Sequence, residues 1–363
     1  MNALQQALKS GQMTMEDVQL KLGIICRSHK QYPNLVSFKY DQINSPMADP
    51  IVQSARGIVL NTDDWSIVSW PFEKFWNHGE PLAARIEWET ARVQEKADGS
   101  LIQLYHYDDK WQVGSSGSPD ASGSVGNLGM TFAELFWQTW SDARYELPVE
   151  SEMLKRFTFM FELMTPYNRI VVDNKRPRIV LVGVRNNTTG EELDVERFRD
   201  QDWEIIKSFP LTSIDEIVDS FKHFKGLDQE GYVVVDASYN RIKIKHPEYV
   251  AIHHLKGDTG PTFKRMVNII CTGEASEAIA SFPDWKAEYD KACARFDKLL
   301  SSLAEQYDEA VANSATQKEF AVLALKSRCG DALFRMRAGK IKTFFEYFQN
   351  LSIDRTMEIL EKP

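Results

Sequence analysis

A lysine at the end of a predicted strand is the residue of this sequence best suited to nucleophilic chemistry. Lys96 lies within residues 95–100 (Glu-Lys-Ala-Asp-Gly-Ser), where a strand predicted over 91–96 gives way to a turn. A neutral lysine amine is a competent nucleophile, and burial or nearby cations would lower its pKa. Gly99 would allow the tight backbone turn that a nearby nucleotide needs. A surface turn explains this string equally well when it is taken alone.

A second lysine pair lies in a predicted strand near residue 244. Lys243 and Lys245 are two residues apart, so both ammonium groups point to the same face of the strand. Like charges side by side repel one another unless an anion lies between them, and a phosphate is the natural anion. Taken alone, the pair is better explained as a solvated strand face.

Two glutamates complete the chemically informative set. Glu162 interrupts the apolar strand predicted over 157–163, where a carboxylate is costly unless it is hydrogen-bonded or binds a metal. Glu230 precedes another buried-looking strand. A structural ion pair at a strand end is an alternative explanation, and it suits Glu230 better than Glu162.

The predicted elements divide the chain into an α+β body and a helical tail. Two short helices are expected within the first thirty residues. Predicted strand hairpins follow over 54–70, 101–115 and 231–245, with further strands over 157–163, 169–173 and 179–184. Helices are expected over 130–143, 193–205 and 213–224, and only helices after Pro247. We predict domains over residues 1–254 and 255–363.

Composition indicates a globular protein without a membrane span. Hydrophobic residues make up 43% and charged residues 26% of the 363 residues, and no apolar run approaches the roughly eighteen residues of a spanning helix. The N-terminus lacks a signal-peptide pattern, and the four cysteines form no CxxC pair, so a reducing cytoplasm is expected. Residues 251–363 hold 16 basic and 16 acidic residues, so the net charge of −9 belongs to the first 250.

The order of these motifs resembles a known enzyme superfamily. Arg56-Gly57 comes first, then 73–77 (Glu-Lys-Phe-Trp-Asn), the Lys96 string, the Glu162 strand, 230–234 and the lysine pair. This order is similar to that of the covalent nucleotidyltransferases, the ATP-dependent ligases and mRNA capping enzymes. The flanking residues resemble most closely the bacteriophage T4 RNA ligase 1 family, and the match spans roughly residues 56–253. They include 165–171 (Thr-Pro-Tyr-Asn-Arg-Ile-Val), 184–191 and 243–253.

The resemblance implies a role for each site residue. Lys96 would take up AMP from ATP, Lys243 and Lys245 would contact the α-phosphate, and Glu230 would be catalytic and hold the divalent metal, Mg²⁺ with Mn²⁺ as an alternative. The implied nucleotide-binding residues are Arg56, Lys74, Glu95, Gly99, Glu162 and Val233. The fold implied is an α+β nucleotidyltransferase domain of antiparallel sheets with flanking helices, followed by an all-helical C-terminal domain.

One position departs from the family pattern. A basic residue commonly follows the second strand of the 101–115 hairpin, and Ser116 occupies that position here. The resemblance therefore implies that the contact made by this basic residue to nucleotide or RNA is either lost here or made by another cation.

The helical tail replaces the β-barrel that other branches of the superfamily carry, and it is expected to confer RNA specificity. Its basic cluster is a candidate contact to the RNA backbone, with a solvated helix face as an equal alternative. The candidates are Lys326, Arg328, Arg335, Arg337 and Lys340.

These features predict an ATP-dependent RNA ligase that joins RNA 5′-phosphate and 3′-hydroxyl ends through lysyl-AMP and RNA-adenylylate intermediates. By family analogy, it would act in RNA repair on substrates such as tRNA, as a bacteriophage-type monomer in the cytoplasm of the host cell. The alternatives are a DNA ligase, a capping-type nucleotidyltransferase or a non-catalytic RNA-binding relative.

Overall fold

The computed structural model describes residues 2–41, 45–148, 154–256, 261–272, 275 and 283–361. The chain divides into two compact units, Met1–Val250 and Ala251–Pro363. The sequence placed this division between residues 254 and 255. No helix of the described ranges has the length and apolar content that crossing a membrane requires.

The first sheet carries the N-terminal helices on one face. Its strand order is β1-β2-β3-β4, and every pair is antiparallel. The strands are β1 (Ile24–Ser28), β2 (Leu35–Tyr40), β3 (Arg56–Asn61) and β4 (Ile67–Ser69), and the helices are α1 (Ala3–Lys9), α2 (Met15–Leu22) and α3 (Pro50–Ser54). A capping box between Thr14 and Asp17 starts α2, and Gly23 ends it in the left-handed conformation. The helices bury Leu4 and Val18 against Phe38.

The second sheet builds the largest hydrophobic core of the first unit. Its order is β11-β10-β9-β7-β8. The strands are β7 (Ser100–Tyr107), β8 (Lys110–Ser115), β9 (Phe157–Met164), β10 (Arg178–Asn186) and β11 (Glu192–Leu193). Helix α4 (Phe132–Asp142) covers this sheet, and its Phe136 and Trp140 contact Phe161 through their rings. Aromatic pairs of this kind add stability beyond the area they bury.

The third sheet brings distant parts of the chain together beside the second. Its order is β12-β6-β13-β14-β5, with β14 and β5 parallel and the other pairs antiparallel. The strands are β5 (Trp76–Asn77), β6 (Arg92–Glu95), β12 (Ser208–Phe209), β13 (Gly231–Val235) and β14 (Arg241–Lys245). Helix α5 (Ile214–Ser220) packs Ile217 into the small core behind it.

Within its described residues, the second unit contains helices and no strand. They are α7 (Phe263–Thr272), α8 (Lys286–Ala312), α9 (Gln317–Ala324), α10 (Gly330–Arg337), α11 (Phe344–Gln349) and α12 (Ile353–Glu361). Helix α6 (Pro247–Lys256) contains the unit boundary, and the side chain of His253 in it lies outside the described residues. The unit has its own core, in which Phe296 of α8 packs on Phe348 of α11.

The predicted fold class, α+β with antiparallel sheets and a helical C-terminal region, is confirmed. The three predicted hairpins and the main helices are present, with shifts at their ends. The strand predicted over 169–173 is wrong, because the backbone N–H groups of Val171 and Val172 donate to the Asp98 carboxylate instead of to a neighbouring strand. The stretch predicted as a helix over 193–205 is a shorter 3-10 segment, Val195–Gln201. Strands β1 and β2 and helix α3 were not predicted.

Candidate active site

Lys96 follows directly after β6 and is held by the start of β13. Its backbone N–H donates to the carbonyl of Gly231 at 2.9 Å, and the preceding N–H of Glu95 donates to Lys207 at 2.8 Å. The sheet therefore fixes the main chain on both sides of Lys96, and the lysine side chain keeps only 21% of its surface exposed. If Lys96 is the nucleophile that the sequence predicts, the fold positions it before any substrate arrives.

Glu230 is a buried carboxylate that joins two of the predicted lysines. Its side chain is 4% exposed, one oxygen accepts from Lys96 Nζ at 2.7 Å, and the other lies 2.9 Å from Lys245 Nζ. Burial alone would raise the pKa of Glu230, but the two ammonium groups outweigh burial and lower it. The ion-pair explanation considered for Glu230 is therefore correct in this structure, and it places Glu230 beside Lys96 rather than away from it.

The pKa of Lys96 is raised, contrary to the expectation that its surroundings would lower it. Burial pulls the pKa down, but the attraction of Glu230 and Glu162 is larger in sum. The error has a clear cause, because Glu230 is 134 residues away in sequence and no local pattern shows the contact. With these partners Lys96 is an ammonium group, and as the predicted nucleophile it would have to lose a proton before it could attack.

A cavity of about 550 Å³ opens in front of Lys96. Its volume is within the range of small-molecule sites. The predicted residues that line it are Arg56, Glu95, Lys96, Gly99, Glu162, Val233, Lys243 and Lys245. Strands from all three sheets contribute, so the tertiary fold brings together side chains that are spread over nearly 190 residues of sequence.

The two remaining predicted site residues lie next to this cavity. Glu230 is not part of the wall and reaches it through Lys96 and Lys245. Lys74 lines an adjoining cavity of about 410 Å³, which shares Arg56 and Lys243 with the first. The Lys74 ammonium lies 4.4 Å from the centre of the Trp76 ring, a cation–π contact.

The same-face prediction for Lys243 and Lys245 is confirmed. Both line the cavity, whereas Ile242 and Ile244 of the same strand are buried on its other face. Burial and the charges of Lys96 and Arg56 lower the pKa of Lys243 to about 8. Concentrated positive charge of this kind favours binding of a phosphate.

Glu162 lies in the middle of β9, opposite Leu101 and Val180 on the neighbouring strands, and lines the cavity. Burial raises the pKa of Glu162 to about 7, an effect that Lys96 partly offsets and Glu230 strengthens. A carboxyl group of this kind can accept or donate a hydrogen bond near neutral pH.

The structure requires glycine at position 99 for a reason that differs from the predicted one. A Cβ atom there would lie 2.4 Å from the carbonyl oxygen of Leu163, so the close approach of β9 requires glycine. Gly99 lines the cavity as predicted, but no left-handed turn is present at it. Val233 lines the cavity from β13 and pairs with Lys243 across the hairpin.

Asp98 is a site residue that the sequence reasoning missed. Its buried carboxylate accepts from the N–H groups of Val171 and Val172 and from the Tyr249 hydroxyl at 2.8 Å. It thereby ties the turn after Lys96 to residues near 171 and to α6. The signal was present in the sequence, since an aspartate two residues after the lysine is part of the same string.

Several unpredicted residues also line the cavity. Arg27 and Lys39 come from β1 and β2, Phe72 and Phe75 from the segment before β5, and Arg241 from β14. Ser116 lines both cavities, so the departure from the family pattern falls within the site itself.

The basic residues predicted to contact RNA lie in the second unit, and all five are exposed. Arg335 forms an ion pair with Asp331, and the Arg337 guanidinium lies 4.1 Å from the centre of the Phe320 ring. Lys326 lies just after α9 and Lys340 just after α10.

A family model described as RNA ligase matches residues 54–249, more than half of the chain and nearly all of the cavity wall. The chain belongs to the T4 RNA ligase 1 family. This membership confirms the predicted family, and with it the prediction of an enzyme of the RNA ligase class. It favours this class over a DNA ligase or a capping enzyme.

Two relatives extend the similarity beyond the matched segment. An RNA ligase of Rhodothermus phage RM378 is 24% identical over 390 aligned positions, which cover 87% of each protein. A protein of Autographa californica nuclear polyhedrosis virus, assigned as a bifunctional polynucleotide kinase/RNA ligase, is 28% identical over 70% of this chain. The chain spans only 38% of that second relative.

Solved structures show more distant likeness. An archaeal ATP-dependent RNA ligase is 12% identical, with 94% of each chain covered and a TM-score of 0.44. A variant of the Naegleria gruberi RNA ligase with ATP and Mn is 16% identical, covering 45% of this chain and 51% of its own, with a TM-score of 0.34.

Proposed function

We propose that this RNA ligase uses ATP and joins RNA 5′-phosphate and 3′-hydroxyl ends through a lysyl-AMP intermediate on Lys96. The observation that carries the proposal is the placement of Lys96. It is a half-buried lysine, 2.7 Å from a buried carboxylate, at the wall of a nucleotide-sized cavity that Arg56, Lys243 and Lys245 also line.

In the first step, Lys96 Nζ attacks the α-phosphorus of ATP. The N–P bond forms, the bond from the α-phosphorus to the bridging oxygen breaks, and pyrophosphate leaves with the electron pair. Two protons leave the lysine nitrogen in total, one before attack and one after it, and solvent takes them up. Lys243 and Lys245 face the cavity from β14, so they neutralise charge that builds up on the α-phosphate.

In the second and third steps, the AMP is passed on and released. A 5′-phosphate oxygen of RNA attacks the phosphorus of lysyl-AMP, the N–P bond breaks, and the lysine nitrogen takes a proton. The RNA 3′-hydroxyl then attacks the adenylylated 5′-phosphate and loses its proton, a phosphodiester bond forms, and AMP leaves. In each step the chain supplies position and positive charge.

A divalent metal fits this site only as a partner of substrate phosphates. Among the described residues, no group of three or more histidines, cysteines or acids could hold an ion. Mg²⁺ takes one or two carboxylates together with phosphate oxygens and water, so Glu230 alone satisfies the requirement for a protein ligand. When bound, the ion would neutralise charge on the phosphates. We infer Mg²⁺ with Mn²⁺ as an alternative.

We also propose that residues 255–363 form an RNA-specificity domain. Lys326 and Lys340 are the strongest candidates for contacts to the RNA backbone. Both are exposed, and neither forms an ion pair with a described acidic residue. Arg335 and Arg337 are partly engaged with Asp331 and Phe320. We propose that its substrates include broken tRNA. We also propose that the protein is a monomer.

A sealing assay tests the proposed function. Wild-type protein, Lys96→Ala and the control Lys110→Met, an exposed lysine of β8 outside the cavities, are incubated with 5′-phosphorylated RNA, ATP and Mg²⁺. We expect circular or joined RNA with wild type and the control but not with Lys96→Ala. Absence of sealing by wild type would contradict the proposal. Sealing of DNA in preference to RNA, or use of GTP in place of ATP, would point to one of the alternative classes.

A further inference from the structure

Two cations lie directly opposite each other on neighbouring strands beside Lys96's cavity. Lys39 of β2 pairs with Arg56 of β3 in the antiparallel register, directly after a β-bulge that separates this pair from Phe38 and Ile58. Like charges at directly opposed positions destabilise a sheet. Both residues line both cavities, so their side chains face the site. Two cations in this arrangement repel each other less when an anion lies between them.

The smaller cavity, of about 410 Å³, is lined by more basic than acidic side chains. Its cationic residues are Lys39, Arg56, Lys74 and Lys243, and its one acid is Glu80. The Glu80 carboxylate already accepts from the backbone and side-chain N–H groups of Asn77. None of the four cations forms an ion pair with a described acidic residue.

The excess charge also acts on a lysine inside the site. The pKa of Lys243 is lowered by burial and then by its cationic neighbours, which include Arg56 and Lys74. Ser116 lines the same cavities without adding charge. The backbone of Ser116 packs closely on Gly57. A Cβ atom at Gly57 would lie 2.8 Å from Ser116 Cα. Where Ser116 adds no charge to this wall, Lys39 is a cation that the family motifs do not include and that lines the same two cavities.

We propose that Lys39 binds the β- and γ-phosphates of ATP and the pyrophosphate released from it, supplying the cation that Ser116 does not. The inference rests on the proposed use of ATP by this site. A pyrophosphate group carries several negative charges, which suits a cavity with four cations next to the one that contains Lys96. An RNA phosphate has the same chemistry, but it enters the reaction only after pyrophosphate has left.

Pyrophosphate leaves the site before the RNA 5′-phosphate reacts, so binding of these two anions can be tested in separate steps. We compare wild type, Lys39→Met, Lys39→Arg and the control Lys110→Met in two single-turnover reactions. The first is adenylylation of the protein at increasing ATP concentration. The second is transfer of AMP from already adenylylated protein to 5′-phosphorylated RNA, which involves no pyrophosphate. A calorimetric titration with pyrophosphate and Mg²⁺ measures binding without any chemistry.

In Lys39→Met, we expect the half-saturating ATP concentration and the pyrophosphate Kd to rise about tenfold, as loss of one charge-assisted contact implies. Lys39→Arg should restore most of the affinity, and transfer of AMP to RNA should stay within about twofold of wild type. The midpoint of urea unfolding should be unchanged or higher in Lys39→Met, because the repulsion with Arg56 is removed. A residue with only a structural role would lower that midpoint.

Three results would overturn the inference. Unchanged ATP and pyrophosphate binding in Lys39→Met would show that Lys39 contacts neither. A loss confined to AMP transfer would assign Lys39 to the RNA phosphate. A lower unfolding midpoint with no rescue by arginine would make the residue structural. If the wild type forms no lysyl-AMP, the proposed function fails, and the pyrophosphate titration still tests Lys39 separately.

Discussion

Glu230 connects two lysines of the candidate site: one of its carboxylate oxygens accepts from Lys96 Nζ at 2.7 Å, and the other lies 2.9 Å from Lys245 Nζ. The ligand-free site is thus held together by ion pairs that a nucleotide and a metal must rearrange. A buried carboxylate between two ammonium groups keeps Lys96, the proposed nucleophile, in place, and it also keeps Lys96 protonated.

We expect Glu230→Gln to reduce the rate of lysyl-AMP formation by a factor of about 100 or more. Losses of this size are typical when a charged group is removed from an active site. The amide retains one hydrogen-bond acceptor but loses the charge that positions Lys96 and would hold the metal. The measurement is single-turnover adenylylation at saturating ATP. The control variant is Glu80→Gln, which removes a carboxylate from the smaller cavity of about 410 Å³ and leaves the Lys96 cavity unchanged. A rate within threefold of wild type would rule out this role for Glu230.

The Asp98 interactions should be worth several kcal/mol of stability. Asp98→Ala leaves two backbone N–H groups and the Tyr249 hydroxyl without their acceptor, so we expect the free energy of unfolding to fall by about 2–4 kcal/mol. Tyr249→Phe removes only one of these bonds and should cost about 1 kcal/mol. Urea unfolding of both variants and of the double variant checks this. Additive losses would show that the hydroxyl and the carboxylate do not interact.

Glu162 should make the protein without nucleotide less stable as pH rises from about 4.5 to about 7. Its pKa is about 7 in the fold against 4.5 in the unfolded chain, so between these values the folded state binds more protons. The free energy of unfolding therefore falls as pH rises through this window, by on the order of 1–3 kcal/mol for this group. Burial is the main cause, and the charges that face Glu162 are Lys96, Arg56, Glu230 and Asp98.

The corresponding experiment is urea unfolding of wild type and Glu162→Gln at pH 5 and pH 8, with a chelator and without nucleotide. The variant should lose this part of the pH dependence and should be the more stable protein at pH 8. An identical pH dependence in the two proteins would show that Glu162 does not titrate in this range.

Exposed lysines of the second unit should set the salt dependence of RNA binding. For the double variant Lys326→Gln/Lys340→Gln, we expect the slope of log K against log salt concentration to become less negative by about 1.4, as two single-strand phosphate contacts predict. Lys318→Gln, on the exposed side of α9, is the control. Fluorescence anisotropy with a labelled RNA at several salt concentrations measures the slopes. Equal slopes for wild type and the double variant would remove these lysines from the RNA contact.

Local sequence patterns were sufficient for part of the site. Alternation along β14 places Lys243 and Lys245 on one face, and the apolar surroundings of Glu162 mark it as unusual. Lys39 could not be found this way. Strand β2 is buried on both faces, since Phe38 packs under the helices and Leu35 contacts Tyr105, so its sequence does not alternate.

Long-range contacts account for the other errors. Asp98 reaches Tyr249 across 151 residues, and its capture of the N–H groups of Val171 and Val172 prevents the strand that the β-branched residues there suggest. The raised pKa of Lys96 has the same origin in Glu230. Electrostatic environments of this kind depend on the tertiary structure and are not encoded in any short segment.

The most direct test of the account is the intact mass of the protein after incubation with ATP and Mg²⁺, following pretreatment with pyrophosphate to remove any AMP already attached. We predict that the wild type and Lys110→Met gain the mass of one AMP and that Lys96→Ala gains none, with the adduct on the peptide that contains Lys96. A wild-type protein that gains no mass, or a Lys96→Ala variant that gains as much as the wild type, would contradict the assignment of Lys96 as the nucleophile.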